Sequence, residues 1–266
     1  MTVQKQQAII FDIDGTAIDT PAVTAPSQAL IDAASAAQQK YYLSAATGRA
    51  WSFAKPVLQA LELQDPCVIM AGTQICNPVT GEIIWECPLA LESARAALRI
   101  LAEHGSRKLF YQDISLEDYL NDRGVSPIGL ELTEPPVMIN YTYVPEAEAL
   151  ALIEKLSAIP GIVCSSVVAM RPGTRDLHIT NQEATKEHAI KELCRRLGVE
   201  QADTIGIGDG HNDLHLFNAV GTKVAVGNAV PELKERADKI IGPVTDDGLA
   251  HFLDSISQVR LVESEA

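Results

Sequence analysis

The chain has 266 residues, enough for one large domain or for a core carrying a smaller insert. Hydrophobic residues make up 47% and charged residues 21%, an ordinary globular balance in which long disorder is not expected. With 21 Lys and Arg against 35 Asp and Glu, the net charge of −14 would repel a nucleic-acid backbone or an anionic membrane surface.

From the N-terminus, MTVQKQQAII has no long apolar region, and no stretch approaches the ~18 apolar residues of a membrane span. Cysteines 67, 76, 87, 164 and 194 are odd in number and form no C-x-x-C pair, which fits a reducing compartment and packing roles. The expected location is therefore cytoplasmic. Ala8 to Phe11 is an apolar run ending in polar residues and Gly15, the signature of a buried parallel strand reaching its C-terminal loop. Ser27 to Gln39 has helical character, YYLSAATGR predicts a strand ending in a Gly turn, and CVIMAG predicts a third strand. That alternation belongs to a parallel sheet covered by helices.

Near position 85 the texture changes. Ala90 to Glu103 has helical spacing, KLFYQ follows, and Glu117 to Pro136 is polar with Pro and Gly. VMINYTYV then predicts a strand, EAEALALIEKLSAI a helix, and GIVCSSVVAM with RDLHIT a strand pair, an α+β insert with antiparallel pairing. From Ala184 the first pattern returns: a helix over Lys186 to Leu197, strand TIGIG, a helix from Asn212 to Asn218, strand KVAVG, a helix over Pro231 to Ala237, and KIIG. The expected division is a core of residues 1–85 and 180–266 with an insert of residues 86–179.

Chemistry concentrates at the strand ends, where open parallel sheets bind ligands. Asp12 and Asp14 in D-I-D-G-T could serve as a nucleophile and a proton carrier, with Gly15 allowing a tight turn. A solvated turn or a calcium loop is the alternative, although an EF-hand would need a third acid and a later Glu. Thr47, Gly48 and Arg49 offer hydroxyl, backbone N–H and positive charge to a phosphoryl oxygen; the plainer reading is a helix cap with a surface Arg. Asp209 and Asp213 in G-D-G-H-N-D could join Asp12 in an oxygen-rich site for a hard cation such as Mg2+, or form a structural loop. Lys186 at the head of a helix would offset the crowded acids, though a lone helical Lys is usually a surface residue. The scattered histidines have no metal-ligand spacing, and Arg171 and Arg175 on the strand pair could meet an anion or water.

In order along the chain, D-x-D-G-T, T-G-R, the helix-heading Lys and G-D-G-x-N-D resemble the four motifs of the haloacid dehalogenase superfamily phosphatases. AGTQICNPVTGEIIWECPL sits where Cof-type members have N-G-A and a hairpin, and KVAVGNAVPELKERAD with DDGLA is similar to their C-terminal stretch. The resemblance implies a Rossmann-like core with an inserted cap of the C2B type, subclass IIB. It also implies Mg2+-dependent hydrolysis of a small phosphate monoester such as a sugar phosphate, with a phosphomutase or a non-catalytic phospholigand sensor as rivals. Asp12 matches the nucleophile and a metal ligand, and Asp14 the general acid/base, whose carbonyl also meets the metal. Thr47 and Lys186 match the phosphate-binding pair, Asp209 a direct metal ligand, Asp213 the supporting acid of the metal site, and Asn212 a contact either to the phosphate or to the residues that surround it. Ala71-Gly72-Thr73 in place of N-G-A, and Glu187 after the Lys, depart from the pattern.

Overall fold

The computed structural model describes residues 5–19, 25–105, 107–111 and 116–263. The chain divides into two compact units, Met1–Trp85 with Thr185–Ala266, and Glu86–Ala184.

The first unit begins with β1 (Ala8–Phe11), α1 (Gln28–Gln38), β2 (Tyr42–Ala45), α2 (Trp51–Ala60) and a small antiparallel sheet of β3 (Cys67–Ile69), β4 (Gln74–Cys76) and β5 (Ile83–Glu86). α1 starts where the expected cap residue stands, Ser27, whose Oγ accepts from Leu30 N–H, and it buries Leu30, Ala33, Ala34 and Ala37, a stripe at helical spacing.

The second unit contains α3 (Leu91–Glu103), β6 (Leu109–Phe110), α4 (Leu116–Leu120), β7 (Met138–Pro145), α5 (Glu146–Ser157), β8 (Ile162–Val168) and β9 (Thr174–Asn181). Its antiparallel sheet has the order β6-β7-β9-β8. Leu98 and Leu101 of α3 and Leu152 and Leu156 of α5 share one core with Ile139, Tyr141, Leu177 and Ile179 of the strands. The polar stretch after β6 holds α4, which local pattern does not predict. Its Tyr119 is fixed by tertiary contacts: the phenol donates to Asp176 Oδ2 at 2.7 Å, and the ring lies 5.4 Å from that of Tyr143. Arg171 lies 3.8 Å over the Tyr143 ring, and Arg175 Nε donates to Ser166 Oγ. The last residue of the KLFYQ segment, Gln112, lies outside the described residues. The return crossing falls at 184/185, beyond the expected 179/180, because β9 stays paired with β8 as far as Asn181.

Back in the first unit come α6 (Lys186–Leu197), β10 (Thr204–Gly208), α7 (Asp213–Ala219), β11 (Thr222–Ala225), α8 (Pro231–Arg236), β12 (Lys239–Ile240) and α9 (Gly248–Glu263). The parallel sheet has the order β12-β11-β10-β1-β2, so β1 lies between its earliest and its latest partners. All four residues of β1 are buried, as a parallel strand covered on both faces requires. α1 packs on α9, and α6 on α7. All five cysteines are free thiols, and burial pushes Cys76 and Cys164 up to about 12, so neither is a nucleophile near neutrality.

Candidate active site

β1 pairs with β10 through Phe11 and Ile207, and the next N–H, that of Asp12, donates to the Ile207 carbonyl at 2.9 Å. The two strands therefore stay joined at their carboxyl ends, and Asp12 emerges beside the Gly208–Asp213 loop. α6 begins at Lys186 because Thr185 Oγ1 accepts from His188 N–H, and Gly198 closes it in the left-handed region. Its buried residues are Lys186, Ala189, Ile190, Leu193 and Cys194, so the lysine occupies the first position of the core-facing stripe.

Lys186 Nζ sits 2.7 Å from Asp12 Oδ1 and 2.7 Å from Asp213 Oδ1, with all three side chains buried. Asp213 Oδ2 accepts from the N–H groups of Asp209 and Gly210, both at 3.0 Å, so this carboxylate also ties the loop to the head of α7. Asp209 Oδ1 accepts from Thr16 Oγ1 at 3.2 Å. Its carboxylate lies over Gly15, where a Cβ would stand 2.2 Å from Asp209 Oδ2 and φ is +79°. Only glycine meets both demands there.

Asp12, Asp209 and Asp213 each place one carboxylate oxygen within 4.8 Å of the others. Burial raises Asp12 well above the ordinary carboxylate range; Lys186 opposes the shift and Asp213 adds to it. Asp209 is pushed up to about 6 by burial first and by Asp213 next. Burial acts to lower Lys186, but Asp12 and Asp213 outweigh it and hold the ammonium above its ordinary value. The site is thus three crowded acids with one fixed positive charge. Hard oxygen donors at this spacing fit a divalent cation. Since Asp213 has both oxygens engaged by Lys186 and the loop, Asp12 and Asp209 are the better placed to touch one directly.

The Thr47–Arg49 turn lies at the end of β2. Thr47 is buried, its N–H donates to the Val68 carbonyl, and its Oγ1 accepts from Arg49 N–H rather than capping α2, whose cap residue is Ala50. A side chain at Gly48 would meet nothing within 4 Å, so space lies open beside this turn. Arg49 is not the surface residue of the plainer reading: its side chain is 9% exposed, with Nε 2.9 Å from Asp14 Oδ2 and Nη2 2.6 Å from Asp14 Oδ1. The loop after β3 joins the same assembly through Met70 N–H to the Arg49 carbonyl and Ala71 N–H to the Thr47 carbonyl. Met70, Ala71 and Gly72 all have positive φ, and a Cβ on Gly72 would stand 2.2 Å from the Thr185 carbonyl carbon. Ala71 holds φ 58° where Asn would be better suited, at a cost of about 1 kcal/mol.

Asn212 and His211 are exposed at the head of α7, and Asn212 makes no side-chain capping bond. His178 is kept neutral, lowered to about 4 by burial, within β9 of the second unit. Two contributors escape sequence reasoning. Thr16 braces Asp209, and its place inside D-I-D-G-T is a usable signal. Asn228 donates to the Gly15 carbonyl at 2.7 Å and accepts from Val244 N–H at 2.9 Å, which is invisible without the tertiary fold.

A family model described as haloacid dehalogenase-like hydrolase matches residues 9–122 and 131–253, nearly the whole chain and all the residues that converge here. The chain belongs to this family. Among its relatives is YkrA of Bacillus subtilis (strain 168), a candidate phosphatase, 28% identical over 258 residues that cover 95% of this chain and 98% of YkrA. The pyridoxal phosphate phosphatase YbhA of Escherichia coli (strain K12) is 23% identical over 94% of this chain and 98% of its own length. A haloacid dehalogenase-like hydrolase from Bacteroides thetaiotaomicron superposes with a TM-score of 0.77 at 21% identity, covering 95% of this chain and all of that one. The subclass IIB sugar phosphatase BT4131 gives 0.73 at 22% identity, covering 94% and 99%. The fold is therefore the haloacid dehalogenase fold, a parallel-sheet core whose chain is interrupted by a second unit, and this member of the family is an enzyme of phosphatase type. Among the described residues, no helix is long and apolar enough to cross a membrane.

Proposed function

We propose that the chain is a Mg2+-dependent phosphomonoesterase that transfers the phosphoryl group of a small metabolite, such as a sugar phosphate, to Asp12 and then to water. The observation that carries this is Lys186 Nζ held 2.7 Å from both Asp12 and Asp213, beside the carboxylate of Asp209. With Asp12 Oδ1 held by the lysine, Oδ2 is the oxygen that attacks phosphorus. Asp14 protonates the leaving oxygen and then takes a proton from water. Thr47, Gly48, Lys186 and Asn212 are the proposed phosphoryl contacts, and the Lys186 ammonium offsets the charge that gathers on the equatorial oxygens. Asp12, Asp209 and the Asp14 carbonyl would hold Mg2+ with Asp213 in support, and the bound ion would screen the anionic ester from the nucleophile. The inserted unit, residues 86–184 here, is the proposed cap, and the cytoplasm the proposed location.

The deciding experiment is a panel of phosphorylated metabolites, including sugar phosphates and pyridoxal phosphate, assayed with and without Mg2+ and scored by kcat/KM. Release of inorganic phosphate only when Mg2+ is present is the expected result. An isomerised sugar phosphate would identify a mutase, and no turnover of any ester a non-catalytic sensor.

Metal binding gives a second test. Asp209, held up to about 6, is ionised at neutral pH against burial. A carboxyl whose folded value lies above its unfolded one lowers stability above that value, and the penalty fades as pH falls through it. Asp209→Asn should therefore raise the metal-free melting temperature at pH 7 by a few degrees, on the order of 1 kcal/mol, and abolish the rise that Mg2+ produces in the native protein. Thermal unfolding with and without Mg2+ reads both effects; an undiminished Mg2+ shift would remove Asp209 from the metal site.

A further inference from the structure

Resting on the phosphoenzyme reading, we infer that Arg49 is a positioning residue: it forks the Asp14 carboxylate and holds it as the base of the second half-reaction, rather than binding the phosphoryl group. Three observations point this way. The guanidinium meets both Asp14 oxygens, Nε to Oδ2 at 2.9 Å and Nη2 to Oδ1 at 2.6 Å, a two-point geometry that fixes the plane of the carboxylate and not merely its charge. Nη1 donates to the Phe53 carbonyl at 3.1 Å, so the first turn of α2 anchors the guanidinium from behind. The arginine side chain is 9% exposed and that of Asp14 30%, so the carboxylate is open to water while its holder is not.

A forked carboxylate has one lone pair on each oxygen committed to N–H donors and a second left on each. That form can accept a proton and has none to give. In the second half-reaction water passes a proton to Asp14 as its oxygen bonds to phosphorus; the bond from phosphorus to Asp12 breaks, and Asp12 returns as a carboxylate. The fork suits this step. To serve the first half-reaction, Asp14 must turn away from Arg49 carrying a proton, so the arginine does not assist transfer to Asp12.

The test follows p-nitrophenyl phosphate with Mg2+ by rapid quench in the native enzyme, Arg49→Ala, Arg49→Lys, Asp14→Ala and the double variant Arg49→Ala/Asp14→Ala. In Arg49→Ala the first equivalent of nitrophenolate should appear near the native rate, while steady-state kcat falls by about 10²-fold and covalent phosphate accumulates. A native-rate first turnover also proves the variant folded. Arg49→Lys, a point charge that cannot fork, should behave like the Ala variant, and Arg49→Ala should cost little once Asp14 is already Ala. A raised KM without accumulated phosphoenzyme, full rescue by Lys, or additive losses in the double variant would each overturn the assignment. If covalent phosphate is trapped neither in the native enzyme nor in Asp14→Ala, where the water step has lost its base, the phosphoenzyme reading fails, whatever Arg49 does.

Discussion

Asp12→Asn leaves a folded protein whose kcat is lower by on the order of 10^4-fold or more, the scale of loss when a covalent nucleophile is removed. Asn keeps the shape of Asp, and Asp213 still holds Lys186 at 2.7 Å, so the buried ammonium does not lose its last partner. What disappears is the proposed oxygen nucleophile and one proposed donor to the cation. Burial holds the Asp12 carboxyl well above its ordinary range, so its ionisation opposes folding at neutral pH, and the neutral amide relieves that opposition. The metal-free melting temperature should accordingly stay level or rise while turnover vanishes. Calorimetry and a phosphate-release assay on the same preparation check both halves. Native-level turnover in this variant would end the aspartyl-phosphate mechanism.

Lys186→Ala is the reverse case, costing stability and activity together. Removing the shared ammonium leaves Asp12 and Asp213 buried without their counter-charge, a change that typically costs 3–5 kcal/mol. The pH dependence has a definite sign. Without the lysine, Asp12 rises further, the folded state binds more protons than the unfolded one, and stability grows as pH falls toward the unfolded carboxylate range. Mg2+ should restore part of the lost melting temperature, since a cation among the same oxygens supplies the missing charge, while kcat stays low because the proposed phosphoryl contact is gone. A melting temperature indistinguishable from native would contradict the geometry.

The core and its strand ends were legible because buried parallel strands are continuous apolar runs that stop abruptly, and the acids follow directly. The helix over Lys186 to Leu197 and strand TIGIG have the bounds expected from periodicity. Lys186 carried a further clue, since it continues the stripe of Ala189, Ile190 and Leu193, the core-facing side of the helix. The pairing of Arg49 with Asp14 left no such clue, although each was a candidate by itself: they lie 35 positions apart, and T-G-R read locally looks like a helix cap. α4 was unreadable for the same reason, because Asp176, from the far end of the same unit, holds Tyr119 in place.

The ladder order sets a condition on biosynthesis. Asp12 and Lys186 are 174 positions apart, and β1 closes its second edge only when β10 arrives. A polypeptide that has left the ribosome as far as Ala184 therefore exposes an apolar strand with one edge unpaired and an inert aspartate, with slow non-local pairing still ahead. Severing the gene at that crossing would give two fragments, each silent alone. Phosphatase activity in a mixture of the two would then report their reassembly.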